Sequence, residues 1–150
     1  MDKLRAERKS TFAPGPWHGE PDRVEWRAHG FPCIVLRQAR RGHLCGYVGV
    51  APGHPWHGKA WDCIGASVHG GITYTEPCIH ETGVCHVPEP GEAEELWWVG
   101  FDAAHAWDLS PSSVGQGYPF DPGPRDVYRD VAYMRAETEA LARQAAEAVG

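Results

Sequence analysis

Three aspartate and histidine residues near the middle of the second half of the chain have the types and spacing that could bind a divalent metal ion. Asp102, His105 and Asp108 follow one another at three-residue intervals. Carboxylate oxygens and imidazole nitrogens bind zinc, manganese or iron, and an open coordination position would polarise water for hydrolysis. His69 could add a ligand from a neighbouring strand. In the competing interpretation the two aspartates cap turns and His105 binds the backbone.

A second group of ligand types lies within nine residues, at Cys78, His80, Cys85 and His86. The spacing is poor for structural zinc, whose ligands come in pairs separated by two to four residues. Adjacent Cys85 and His86 would also point to opposite faces of an extended chain. The role of this group stays open. The chain has five cysteines and no CxxC pair, which argues against a disulfide framework. We expect most of them to be small buried apolar residues; the five are Cys33, Cys45, Cys63, Cys78 and Cys85.

The elements that must position these residues follow from the hydrophobic pattern, which predicts an α+β fold. We expect an antiparallel sheet of about five strands, with a C-terminal helix packed on one face and long loops. A polar leader over residues 1–22, partly mobile, precedes a single domain over residues 23–150, and we expect the first ten residues of the leader to be mobile or weakly helical. The expected strands cover residues 24–29, 33–38, 43–50, 64–74 and 96–102, and the expected helix covers residues 125–148 with Val127, Val131, Met134, Leu141 and Ala145 on its apolar side.

Strand alternation assigns one face of this sheet to the helix and leaves the other uncovered. In the last strand, for example, Trp97 and Val99 share the helix face while Trp98 and Asp102 point away from it. We expect His69, Asp102 and His105 to share one ion or small anion on the uncovered face, with Asp108 in support. The other residues predicted on or near that face are Cys45 and four ligand-binding residues, Tyr47, Thr73, Trp98 and His86.

Composition and charge exclude several classes of protein. The formal net charge of −6, with a pI near 5.8, argues against nucleic-acid binding, which needs a positive surface. No apolar run approaches the roughly 20 residues that span a bilayer, and the mixed-charge N-terminus is not a secretory signal. We therefore expect a cytoplasmic protein that is not bound to a membrane. The chain also lacks a GxSxG elbow, a P-loop and a GxGxxG motif.

Four short motifs resemble those of a family of small uncharacterised proteins that occur in bacteria, especially actinobacteria, and in their phages. They are GHLCGYVG at residues 42–49, VHGGITY at 68–74, CHVP at 85–88 and WWVGFDAAH at 97–105. The similarity covers most of residues 42–143, although the family more often has a cysteine where this chain has Ala103. The resemblance implies a shared fold unit and a phage or mobile-element setting, and it implies no reaction.

Three hypotheses about function follow. The leading one is a small ligand- or metal-binding domain, with metal-dependent hydrolysis as the reaction such a ligand set would support. The alternative is a phage or mobile-element accessory protein that binds a host protein, without catalysis, through aromatic anchors. A third is a homodimer that buries its tryptophan-rich sheet face against a second copy. An exposed tryptophan patch without converging histidine and aspartate would favour the last two; the candidate anchors are Trp56, Trp61, Trp97 and Trp107.

Overall fold

The chain folds into an antiparallel sheet with a long helix against one face. The structure is a computed structural model, and it describes residue 9 and residues 11–150. The predicted α+β class is therefore confirmed. Among the residues described, no helix is long and apolar enough to cross a membrane. The strands lie in the order β1-β2-β3-β5-β4, and the elements are β1 (Arg23–Ala28), β2 (Phe31–Arg37), β3 (Leu44–Val50), β4 (Tyr74–Pro77), β5 (Trp97–Asp102) and α1 (Val131–Val149).

The centre of the sheet is a hairpin formed by the two strands predicted over residues 33–38 and 43–50. Its turn is closed by the Gln38 amide, which donates to the His43 carbonyl over 2.8 Å. β3 then pairs with β5, so that Cys45 lies opposite Asp102. Every residue of β3 is buried, because the strand is covered on both of its faces.

Helix α1 begins later than the predicted residue 125. The Asp130 side chain caps it by accepting from the Tyr133 amide over 2.8 Å, and aspartate is among the preferred residues for this position. Val127, which the pattern places on the helix, instead precedes it in an isolated bridge to Asp108 and is half exposed. The buried residues of the helix follow one another at helical spacing and form one face. They are Met134, Thr138, Leu141, Ala142 and Ala145.

The strand predicted over residues 64–74 is wrong for most of its length. Gly70 and Gly71 have φ angles of +69° and +82°, which is left-handed backbone that breaks strand alternation. The Gly71 amide closes a turn by donating to the Val68 carbonyl over 2.8 Å. The strand begins only at Tyr74, where β4 forms an edge on β5.

The sheet face opposite the helix is not open, which corrects the predicted uncovered face. The chain between β4 and β5 crosses it and buries Val84 and Leu96 there. Trp98 consequently has no exposed surface, and Tyr47 is only 8% exposed. The tryptophan-rich face is thus a second apolar core, because the loop supplies the partner that such a surface needs.

The same covering loop contains a disulfide between Cys78 and Cys85. The expectation that most of the cysteines are small buried apolar residues is wrong, because this pair is cross-linked and Cys63 is exposed. Cys33 and Cys45 are buried as expected and lie in the core. Sequence separation alone could not distinguish the cross-linked pair from the rest.

The end of the predicted leader packs on the domain. Trp17 is buried and makes an edge contact with Tyr128, with ring centroids 5.2 Å apart. Glu20 accepts from the Val131 amide, at the start of α1, over 2.7 Å. The predicted mobility of the first ten residues lies outside the described residues apart from Lys9, whose ammonium donates to the Glu20 carbonyl over 2.6 Å.

Candidate functional site

A buried histidine–aspartate pair lies where the loop after β5 meets the start of α1. The Asp108 carboxylate has no exposed surface, and it faces His69 Nε2 at 2.9 and 3.0 Å. It also accepts from Arg129 Nε over 2.9 Å and from the His105 amide over 3.1 Å. Burial opposes ionisation, but the hydrogen bonds from His69, Arg129 and His105 outweigh it and hold the pKa of Asp108 below its usual value.

The second nitrogen of His69 contacts a tyrosine of the helix. His69 Nδ1 lies 2.8 Å from the Tyr133 hydroxyl. In the neutral tautomer that fits these contacts, Nε2 carries the proton toward the carboxylate and Nδ1 accepts from the hydroxyl. Burial and the Glu137 carboxylate raise the pKa of Tyr133, so its hydroxyl stays protonated. Asp108, His69 and Tyr133 therefore form one hydrogen-bonded chain.

A second pair, His105 and Asp102, lies closer to solvent. His105 Nε2 is 3.1 Å from Asp102 Oδ1, and the two side chains are 34% and 28% exposed. Asp102 is oriented by the Thr73 hydroxyl and the Ala104 amide, which each donate to it over 3.0 Å. Although His105 Nε2 is buried, it has no hydrogen bond within the described part of the chain. The exposed third of the side chain therefore consists of atoms other than Nε2.

His43 adds a third imidazole beside this pair. It directly precedes β3, whose Cys45 pairs with Asp102. Burial lowers the pKa of His43, while Asp102 acts in the opposite direction. Its Nδ1 is buried without a hydrogen bond to any residue that the structure describes. Buried polar atoms are rarely left unpaired, and such exceptions commonly mark a catalytic role or a bound water or ion.

Gly70 allows the two pairs to approach each other. A Cβ atom at this position would lie 2.2 Å from His105 Cδ2, and the φ angle of +69° also disfavours a side chain. The His69 and His105 rings are 6.3 Å apart between centroids. We call the group formed by His43, His69, Asp102, His105, Asp108 and Tyr133 the His–Asp centre.

The four predicted ligand residues lie near one another, but as two pairs and not as one ion-binding set. His69 faces the helix through Tyr133 and Glu137 and not the predicted uncovered sheet face. His69 pairs with Asp108, and His105 with Asp102. Within the described residues, the group of three or more histidine, cysteine or carboxylate ligand atoms that lie within 4.8 Å of one another is a different one, Cys78, His80 and Cys85. A single ion shared by both pairs would need side-chain movement.

The predicted ligand-binding residues divide between two places. Thr73 belongs to the His–Asp centre through its bond to Asp102. Trp98 lies in the second core, and Tyr47 packs on Tyr74 in the wall of a cleft of about 320 Å³ on that side of the sheet. His86 contacts Glu92 at 2.8 Å and stacks edge-on against Trp98.

Sequence analysis missed His43, Arg129 and Tyr133. His43 begins the strand predicted over residues 43–50. Because successive side chains of a strand point to opposite faces, His43 lies on the same face as Cys45 and opposite Leu44. Arg129 and Tyr133 lie on either side of the Asp130 cap. With the helix predicted to start at residue 125, both residues fall inside the helix, and the sequence does not show that they flank its first residue.

Comparison with known proteins adds no relative: no family model, curated protein or solved structure matches the chain.

Proposed function

We propose that this protein is a small ligand-binding domain that uses the His–Asp centre for acid–base chemistry, with hydrolysis of a small molecule as the reaction. The observation that carries the proposal is the pairing of two histidines with two carboxylates, with the rings 6.3 Å apart. Histidine is the side chain most often used for proton transfer near neutral pH, and a hydrogen-bonded carboxylate, as Asp108 is for His69, fixes its orientation and proton position.

The two pairs differ in exposure, which suggests different roles. The His105 side chain is one third exposed, and its Nε2 lies 3.1 Å from Asp102 Oδ1 without a hydrogen bond between the two. We assign its other nitrogen, Nδ1, as the atom that acts on the ligand. In the proposal His105 removes a proton from the attacking water. The Tyr133 hydroxyl leaves its hydrogen bond to His69 Nδ1 and donates its proton to the departing oxygen, and the proton that His105 took from water returns to Tyr133 through solvent. The buried pair of His69 and Asp108 positions the hydroxyl before the reaction. His69 is then a positioning residue, because both of its nitrogens are already engaged.

Binding of zinc, manganese or iron is a second candidate, favoured by the contact distances within each pair. Ligand atoms bound to one such ion lie roughly 3–4 Å apart. His105 and Asp102, at 3.1 Å, have this spacing, as do His69 and Asp108, at 2.9 Å. Each pair supplies two protein ligands, one fewer than a catalytic zinc site normally has. A third ligand would have to come from the other pair by side-chain movement. The acid–base mechanism needs no such movement, so we prefer it.

Recognition of a host protein is supported less well. Trp61 and Trp107 are 57% and 55% exposed, but Trp56 is buried and Trp97 packs against the core. Convergence of histidine and aspartate was the feature expected to separate a ligand site from an aromatic docking patch. A phage setting, a cytoplasmic location and a homodimer remain proposals beside this one.

The test is hydrolysis of three chromogenic 4-nitrophenyl substrates, a carboxylic ester, a phosphate monoester and a phosphodiester. We expect turnover of at least one class, with His105→Asn about 100-fold or more slower, the usual contribution of a general base. His29→Asn is the matched control, because His29 is exposed and its φ of 52° is one that asparagine tolerates.

The same assay separates the acid–base mechanism from the metal-dependent one. Activity that survives a chelator supports acid–base catalysis, whereas activity that appears only with added zinc, manganese or iron supports the metal site. Equal rates for the native protein and His105→Asn on all three substrates would contradict both.

A further inference from the structure

The loop that covers the second core contains a compact group of metal-ligand atoms outside the His–Asp centre. Cys78 and Cys85 face each other across a short hairpin and are joined as a disulfide. His80 Nε2 lies 3.4 Å from Cys78 Sγ. One ligand atom each from Cys78, His80 and Cys85 lies within 4.8 Å of the others. Folding of the hairpin produces this proximity, which the sequence spacing does not suggest.

Contacts other than the disulfide hold the hairpin in place. The Ile79 amide donates to the Val84 carbonyl over 3.2 Å, and Val84 is anchored in the second core. From β1, the Arg23 guanidinium donates to the carbonyls of Gly83 and Cys85 over 2.5 and 2.6 Å. We therefore expect the two sulfur atoms to stay close together after the disulfide is reduced.

We propose that the reduced hairpin is a binding site for zinc or a similar thiophilic divalent ion, with Cys78, His80 and Cys85 as ligands. A dithiol reductant transfers two electrons and two protons to the disulfide, is itself oxidised to a disulfide, and leaves two cysteine thiols. On binding, both thiols lose their protons to solvent and the thiolates coordinate the ion. Two thiolates balance the charge of a divalent cation, and His80 binds as neutral imidazole. Oxidation closes the disulfide and removes both sulfur ligands.

The surroundings favour a soft or borderline ion with one open position. Thiolate and imidazole select zinc over magnesium or calcium. The hairpin forms part of a cleft of about 440 Å³ to which Glu94 and Glu95 also contribute, so an ion can enter from solvent. His86 is held by Glu92 and Trp98 and is not needed as a ligand. Three protein ligands leave the fourth position to water.

Titration of the full chain with Zn²⁺ and with Co²⁺ tests the proposal, before and after reduction by a phosphine that does not itself supply thiols. We expect one ion per reduced chain, bound at least 100-fold more tightly than by the oxidised chain. Cobalt should give the near-ultraviolet charge-transfer band of thiolate ligation. Equal affinity in the two redox states, or a cobalt spectrum without that band, would overturn the site.

Matched variants assign the ligands. His80→Asn should weaken zinc binding at least about 10-fold, whereas His29→Asn should not. Cys78→Ser should abolish the cobalt band, whereas Cys63→Ser, at an exposed cysteine outside the disulfide, should leave it intact. In the native sequence, bound zinc should slow alkylation of Cys78 and Cys85 as read by mass spectrometry, a measurement that needs no variant to fold. Unslowed alkylation would refute the assignment. The proposal does not depend on the His–Asp centre.

Discussion

Replacing Asp108 by asparagine should destabilise the protein strongly, because every orientation of the new amide is unfavourable. Oδ1 of Asp108 accepts from Arg129 and His69, and Oδ2 accepts from His69 and the His105 amide. An asparagine NH₂ group in either position would face a donor. Removing one partner of a buried charge pair costs about 3–5 kcal/mol. Since Arg129 and His69 can partly rehydrate, we expect about 3 kcal/mol, or roughly 6–12 °C in melting temperature for a chain of this size.

Thermal and urea unfolding measure this loss, with Asp62→Asn, at an exposed position, as the control that should change stability by no more than about 0.5 kcal/mol. Because the pKa of Asp108 is lowered in the folded protein, its contribution is complete above the ordinary carboxyl pKa of about 3.9 and is lost as pH falls through the folded value. The contribution of the Asp108 carboxylate to the difference between the native protein and Asp108→Asn should therefore shrink as the pH falls below about 4. A variant that melts within about 1 °C of the native protein would refute the reasoning.

Three further substitutions, each measured by urea unfolding, test the packing of the helix on the sheet and the residue at which the helix begins. Gly46→Ala would place a Cβ atom 2.3 Å from Thr138 Oγ1, so we expect a loss of about 1–3 kcal/mol from overpacking; an unchanged midpoint would mean that β3 and α1 can separate. Leu141→Ala removes a fully buried side chain and should cost about 2–5 kcal/mol, and a loss below about 1 kcal/mol would show that the core lies elsewhere. Asp130→Ala removes the helix cap and should cost about 1 kcal/mol; no loss would place the start of the helix nearer the predicted residue 125.

The fold was predictable where hydrophobic periodicity is long and uninterrupted. The hairpin of β2 and β3, the last strand β5 and the helix all have such a pattern, and all are present. The strand predicted over residues 64–74 failed because two glycines adopt left-handed backbone, a property that apolar alternation does not contain. The covered sheet face was missed because the loop that covers it contributes isolated apolar residues, such as Val84 and Leu96, which have no period.

The candidate site was only partly predictable, for a different reason. Asp102, His105 and Asp108 are close in sequence, so their proximity follows from a single turn. His69 joins them through a contact between loops and through Tyr133 of the helix, not through the strand alternation that we used to place it. The division into two pairs depends on side-chain directions set by Gly70 and Arg129. The spacing of His69, Asp102, His105 and Asp108 along the chain does not predict these side-chain directions.

The most direct test of the central claim is kcat/KM for Tyr133→Phe on the substrate that the native protein hydrolyses. The claim is that the buried pair of His69 and Asp108 acts on the ligand through the Tyr133 hydroxyl. Removing that hydroxyl should lower kcat/KM about 100-fold or more and reduce stability by only about 1 kcal/mol. Tyr118→Phe, at a fully solvated tyrosine, should leave both unchanged. If Tyr133→Phe retains the native kcat/KM, the pair of His69 and Asp108 only stabilises the position of the helix, and the proposed acid–base centre is wrong.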